Sequence, residues 1–324
     1  RLTFHDDSRL SYDRLLLAMG GVPRELDLPG SALENVFTLR SFADSDAIID
    51  AAKKGRKAVV IGGGFIGMET AFSLRERDMD VTLVAEEQVP LESIFGQEIG
   101  RMFQRRHENH GIEMELGRTV REFAGDGSVQ KVVLDNGEVV DADLVIVGVG
   151  VEPASDRIQG ISFGSDGSVV VDNRLRSEDN IFAAGDVACF PDWRTGERTR
   201  IEHWRTAEQQ GRVAAQNMLG KDIEYRSIPF FWTTQVGLHF RYVGHAPEWD
   251  EIITMGDVSA ADFISFYVKD GRVIAAAGNG RDKQMIAIEE LMRIDRMPSS
   301  DEIRHDKPDL VAILHEMEAV ATKD

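Results

Sequence analysis

Cysteine is nearly missing from this chain: its 324 residues include one, Cys189. That excludes an intrachain disulfide, a cysteine-rich metal site and a C-x-x-C redox pair within these residues, and it points to a reducing compartment. Cys189 itself reads as a small, buried residue and not as a catalytic thiol. Positive charge is also scarce: 37 Lys and Arg stand against 56 Asp and Glu, a net charge of −19. Such a balance argues against nucleic acid as a main partner, because phosphate binding wants a basic face. Long apolar runs are absent. The longest, Leu144 to Val151, spans eight residues and contains glycines, far short of the ~18 that a membrane helix needs. The first residue is Arg1, with neither a Met nor a charged-then-apolar leader. The expectation is therefore a cytoplasmic protein without a membrane span, read here from the downstream part of a longer chain, with an upstream targeting segment left open.

The most informative stretch is Lys57-Ala58-Val59-Val60-Ile61-Gly62-Gly63-Gly64-Phe65-Ile66-Gly67-Met68-Glu69. A strand runs into a glycine turn and then a helix, the context that gives a G-x-G-x-x-G match its meaning. Gly62 can make the tight turn, Gly64 lets a pyrophosphate approach the backbone, and Gly67 lets helix and strand pack closely. Free N–H groups at the helix start would face the phosphates, at ~0.3–1 kcal/mol per favourable charge. A second strand, Asp80 to Ala85, ends at Glu86 and Glu87, where an acidic group can hold a ribose 2′-hydroxyl. No arginine lies beside these acids to accept a 2′-phosphate, which favours NAD over NADP. Leu144 to Gly150 reads as a strand covered on both faces and closes on Gly148 and Gly150.

Around this unit the pattern predicts a short strand pair at the start and a strand through Tyr12 to Ala18. A helix should begin near Phe42, capped by Ser41 or Asp44, and a longer one should cover about 96–110. Strands follow at Val120 to Phe123, Val129 to Leu134 and Val139-Val140, with a hairpin turn at Asp135-Asn136-Gly137. Later come Ile181-Phe182-Ala183-Ala184-Gly185-Asp186, a helix from Thr206 to Leu219, three antiparallel strands between Glu251 and Ala277, and helices near 283–295 and 308–321. There is no internal repeat and no low-complexity segment.

These pieces, in this order, resemble the two-dinucleotide flavoprotein reductases. Within them the chain looks most like the NADH-dependent ferredoxin and Rieske-protein reductases and their apoptosis-inducing-factor-like branch. The most specific parts are Ile61 to Glu69, Ile181 to Asp186, Glu202-His203-Trp204, Gln210 to Met218 and Pro229-Phe230-Phe231-Trp232. The resemblance implies an α/β fold in which a Rossmann-type NAD-binding domain is inserted in a split FAD-binding domain, followed by an α+β domain with an antiparallel sheet. The expected boundaries are 1–41 for the end of the first FAD segment, 42–152 for the NAD domain, 153–220 for the second FAD segment and 221–324 for a C-terminal interface domain. The FAD fingerprint that the family carries at its N-terminus has no counterpart here, so the FAD domain is expected to be partial.

By the same resemblance, Gly62, Gly64, Phe65, Ile66, Gly67, Glu69, Glu86, Glu87, Gly148 and Gly150 belong to the NAD site, with Glu69 near the nicotinamide. Gly20, Gly185, Asp186, Glu202, His203, Trp204 and Trp232 belong to the FAD site, with Asp186 on the ribityl hydroxyls and the aromatic residues around the isoalloxazine. Met19-Gly20 departs from the family's usual Thr-Gly, and Ala85 stands where the family has its ribose-binding Glu. The implied cofactors are FAD and NAD, and the implied activity is hydride transfer from NADH to flavin, then electron delivery to a ferredoxin or Rieske-type iron–sulfur protein. No protein nucleophile and no metal is needed. Arg194, Arg198, Arg200 and Arg205 form one expected docking patch, with solvated loop charge as the competing reading. Family members often form homodimers. Two alternatives compete: an NADH-responsive redox flavoprotein that acts by binding and a change of oligomer, and an inactive NAD-binding fragment of a longer reductase.

Overall fold

The computed structural model describes residues 1–4 and 6–321. Five parallel strands form the first large sheet, in the order Val36–Thr38, Leu144–Val147, Lys57–Ile61, Asp80–Ala85, Ile112–Leu116. Past the exposed Lys57 and Asp80, the three central strands are buried throughout and apolar except for Thr82, the pattern of a sheet covered on both faces. Helices Phe42–Ala52, Phe65–Arg75 and Gln97–Asn109 contribute to the core on one face. An antiparallel sheet of Val120–Ala124, Lys131–Leu134 and Val139–Asp141 packs on the other. Ser41 caps the first helix, and Asp44 completes the capping box, so both residues expected to serve as the cap are used.

The strand Val36–Thr38 lies on the 1–41 side of the expected boundary, yet it is hydrogen-bonded to Leu144–Val147. The parallel sheet therefore begins before residue 42. The chain enters and leaves this sheet through a two-stranded ribbon, Gly21–Pro23 against Val151–Pro153. A Cβ on Gly21 would lie 2.3 Å from Val151 Cγ1 and 2.8 Å from the Glu152 carbonyl oxygen, so only glycine permits so close an approach. Outside the ribbon, Leu15–Leu17 pairs in parallel with Ile181–Ala183, and Leu17 joins buried residues between Val169 and Tyr225 in one small core. That is the topology of an inserted unit.

The second large sheet is antiparallel throughout: Phe230–Gln235, Leu238–Gly244, Arg272–Asn279, Asp262–Lys269, Glu251–Asp257. Its two faces follow the period of two that side chains obey in a strand. Leu238, Phe240, Tyr242, Phe263 and Tyr267 share a core with Phe95, Ile99, Met102 and Phe103 of the parallel-sheet unit. Val243, Ile264, Phe266 and Val268 face the opposite way, in the core shared with helix Asp282–Arg293. The first two strands of this sheet were not expected as strands. Their turn, Val236-Gly237, puts a β-branched residue at φ 45°, a position where valine gives no turn signal. The short helix Ser300–Asp306, with its Ser299–Glu302 capping box, also escaped the apolar periodicity. Among the described residues no helix is long and apolar enough to cross a membrane, and Cys189 is half-buried rather than buried.

Candidate functional site

The glycine turn is held by its own backbone. Gly62 has φ +116° and donates to the Val84 carbonyl at 2.8 Å. A Cβ there would lie 2.3 Å from the Gly148 carbonyl oxygen, and one on Gly67 would lie 2.0 Å from that of Gly62. Turn, helix and the end of the Leu144–Val147 strand thus touch backbone to backbone. Gly150 follows with φ +108°. Gly64 differs from these: nothing lies within 4 Å of its missing Cβ, so its bare backbone faces open space. It is the N-cap of helix Phe65–Arg75 and makes no side-chain cap bond. The first N–H groups of that helix, those of Phe65 and Ile66 among them, lack helical partners by the geometry of a helix start.

Glu86 and Glu87 are both exposed at the end of Asp80–Ala85. Glu87 is the one directed at the turn, with Oε2 3.3 Å from where a Cβ on Gly63 would stand. The sheet also brings up a residue that the linear sequence does not place near these acids. Arg118 donates its backbone N–H to the Ala85 carbonyl at 2.9 Å, which sets an arginine at the strand end.

The flavin-side residues come from separate parts of the chain. Gly185, at φ +80°, has its N–H accepted by the buried Gln210 Oε1 at 2.8 Å. A Cβ on Gly185 would come to 3.3 Å from Ala207, so this turn lies against the first turn of helix Trp204–Met218. Asp186 follows and accepts from Arg40 Nη2 at 2.7 Å. Gly20, at φ +70°, lies under the same guanidinium, its missing Cβ 3.1 Å from Arg40 Nη2. Arg40 was missed by sequence reasoning. Its one signal was its position immediately before the Ser41 cap, which fixes it at the rim where the two units meet.

Between the units opens a cleft of about 640 Å³. Phe65 and Glu69 of the glycine helix line one side, Glu202, His203 and Trp204 another, and Phe231 and Trp232 a third. Trp204 and Trp232 are 61% and 46% exposed and meet edge to face at 5.8 Å. His203 lies 6.0 Å from the Trp232 ring and accepts the Arg205 N–H as the cap of its helix. Burial, then the charge of Arg205, hold its pKa below the ordinary value, with Asp186 pulling the other way. Glu202 is held by Arg200 at 2.6 Å.

The expected arginine docking patch is not a patch. Arg194 is only 6% exposed and pairs with Asp192 at 2.9 Å. Arg200 joins Asp166 and Glu202. Arg205 pairs with Glu289 at 2.6 Å and lies over the Phe230 ring. Arg198 donates to the Val171 carbonyl. Each has a partner, and Arg200 and Arg205 pin the segment that carries Glu202 to Trp204.

Fold and site together define an α/β protein with a glycine turn of the dinucleotide-binding kind, whose helix carries Phe65 and Glu69 into an aromatic cleft. Residues 2–211 match the family described as pyridine nucleotide-disulphide oxidoreductase, and residues 230–314 the one described as reductase C-terminal. The chain belongs to this oxidoreductase family, whose cofactors are FAD and NAD(H). It is 36% identical over 301 residues to human apoptosis-inducing factor 3, which covers 91% of this chain and 50% of that protein. It is 32% identical over 308 residues to the anthranilate 1,2-dioxygenase system ferredoxin--NAD(+) reductase component of Burkholderia cepacia, covering 94% and 75%. The solved ferredoxin reductase for the CYP199A2 system of Rhodopseudomonas palustris superposes with a TM-score of 0.89 at 30% identity, over 96% of this chain and 77% of that one. The chain thus spans half the length of the human relative and about three quarters of the two bacterial ones.

Proposed function

We propose that the protein is an FAD-dependent NADH oxidoreductase that passes electrons to a ferredoxin-type iron–sulfur protein. The observation that carries this reading is the cleft in which the glycine helix, the Glu202–Trp204 segment and the Phe230–Gln235 strand converge. Two exposed tryptophans facing one cleft fit a flat aromatic ring, which they can cover and shield from water. Gly185 and Asp186 beside Arg40 offer an acceptor and a cation at a turn where backbone can come close, as a polyol and phosphate chain requires. The chemistry FAD supplies when bound is hydride acceptance from NADH and release of electrons one at a time.

The remaining work belongs to the protein. Gly64 and the N–H groups after it bind the nucleotide's pyrophosphate. Glu87 holds the adenine ribose, favouring NADH over NADPH. Glu69 orients the nicotinamide from the glycine helix. Asp186, anchored by Arg40, accepts from the ribityl chain, and Trp204, Trp232 and His203 exclude water. The proposed boundaries place the NAD-binding unit between the two strands of the Gly21–Pro23 and Val151–Pro153 ribbon, with the C-terminal sheet as the wall that carries Trp232. The test is the visible spectrum of the purified protein before and after anaerobic NADH. A flavin band that bleaches on addition, and recovers with an oxidised ferredoxin, is the expected result. A protein that holds added FAD and never bleaches would overturn the reading.

A further inference from the structure

Glu69 is not free to choose its direction. Phe65 and Glu69 are one helical turn apart, and Phe231 and Thr233 are alternate residues of the adjoining strand. Four helical residues rise about 6 Å and two strand residues about 6.6 Å, so the two pairs meet as rungs of one ladder. Phe65 meets Phe231 edge to face at 4.7 Å, and Glu69 Oε1 accepts from the Thr233 hydroxyl.

Behind Thr233 the chain of hydrogen bonds continues through the core. Gln235 Nε2 donates to Thr233 Oγ1 at 3.0 Å. Gln235 Oε1 faces His107 Nε2 at 3.0 Å, and His107 Nδ1 faces the Phe103 carbonyl, one turn back in its helix, at 2.9 Å. Thr233, Gln235 and His107 are 2%, 1% and 0% exposed. A hydroxyl has one proton to give. With Gln235 Nε2 toward the Thr233 oxygen, the Thr233 proton goes to Glu69, and a neutral His107 gives its one ring proton to Gln235 Oε1, leaving Nδ1 unprotonated beside the Phe103 carbonyl. Gln235 is in turn fixed by His107, on a third element. Three buried polar side chains in an apolar core are retained at a cost unless each has its partners, and here they form one connected line that ends at the cleft.

We infer that Thr233, backed by Gln235 and His107, is a positioning residue that sets the Glu69 carboxylate toward the nicotinamide end of the bound dinucleotide. This rests on the proposed role of Glu69 itself. The line acts on one end of the ligand only, since its terminus lies at Glu69 and not at the Gly62–Gly67 turn.

The test compares NAD⁺ with ADP-ribose, which lacks the nicotinamide, by isothermal titration into the protein as purified. Thr233→Val removes the hydroxyl at nearly constant volume. It should weaken NAD⁺ about tenfold and leave ADP-ribose unchanged, and Thr233→Ser should restore NAD⁺ affinity. Gln235→Leu, one bond further back, should give a smaller selective loss, about threefold, and keeps the inference testable if Thr233→Val does not fold. Equal weakening of both ligands would mean a structural role and would overturn the inference. So would a selective NAD⁺ loss in Glu69→Ala alongside unchanged NAD⁺ affinity in Thr233→Val and Gln235→Leu, with the role of Glu69 left intact. Unchanged NAD⁺ binding in Glu69→Ala would overturn the role of Glu69, and the inference with it.

Discussion

The two halves of the site are built on opposite plans. The glycine turn is local and made of backbone: Gly62, Gly64 and Gly67 fall within one six-residue stretch, Gly62 and Gly67 lie against carbonyl oxygens, and Gly64 faces open space. The proposed flavin side is made mostly of side chains, Arg40, Asp186, Trp204 and Trp232, with Gly20 beneath Arg40, which the chain separates widely and the fold brings together. At Gly62 and Gly67 the turn has no room for an added atom. A gathered side-chain site tolerates substitution piece by piece but fails when its scaffold shifts. Variants on each side should therefore fail in different ways.

The largest effect is expected at Gly67→Ala, where the new Cβ meets the Gly62 carbonyl at 2.0 Å. Helix and turn must separate, costing ~1–3 kcal/mol of stability and lowering NAD⁺ affinity more than tenfold, as read by urea denaturation and titration. Normal NAD⁺ affinity in this variant would break the backbone half of the comparison. Next is Asp186→Ala, which strips the partner from Arg40 and an acceptor from the proposed ribityl site. At roughly 1–3 kcal/mol for a charged hydrogen bond, flavin retained after desalting should fall while NAD⁺ affinity holds. An unchanged flavin-to-protein ratio would remove Asp186 from the site.

Acidification should touch both sides through histidines. Burial is the first cause holding His107, His203 and His245 below the ordinary value of 6.5. Each binds its proton less readily folded than unfolded, so the unfolded chain takes up more protons and stability falls as pH drops below about 6.5. Above that value all three are neutral in both states and contribute no slope. Melting temperatures recorded from pH 7.5 to 5.5 should decline, and His107→Gln should flatten the decline; a variant with the parental slope would exclude His107. The smallest effect is expected for Arg205→Met. Its pair with Glu289 is partly exposed, and such pairs contribute ~0–1 kcal/mol. Its loss should loosen the Glu202–Trp204 segment more than it lowers the melting temperature, seen as a change in tryptophan fluorescence.

The same contrast explains what was legible in the sequence. The glycine turn, its strands and helix could be read because each residue's role is set by its immediate neighbours. Buried valines in Lys57–Ile61 and Leu144–Val147 and the cap at Ser41 are of this kind. Arg40 could not be read, because an arginine at a helix entry looks like any other until the sheet brings Asp186 to it. Arg194 misled for the same reason: its burial, with Nη1 on the Ile274 carbonyl of the C-terminal sheet, depends on tertiary packing. The hairpin at Val236-Gly237 hid behind a residue that rarely adopts that backbone conformation. The Glu69–Thr233–Gln235–His107 line joins three elements and has no linear signature at all.

The ribbon of Gly21–Pro23 and Val151–Pro153 also has a consequence for how the chain reaches its native state. Leu15 must find Ile181 across the whole parallel-sheet unit, and closing so long a loop from an open coil carries an entropic penalty. Once the unit between them has folded, its two ends emerge side by side at the ribbon, and the search that remains is short. Loop-closure entropy therefore favours one order of assembly, the parallel-sheet unit first and the Leu15–Leu17 pairing with Ile181–Ala183 after it. Gly21, where no side chain fits, is then a checkpoint in time as well as a contact in space, and a bulkier residue there should slow the late step of refolding more than the early one.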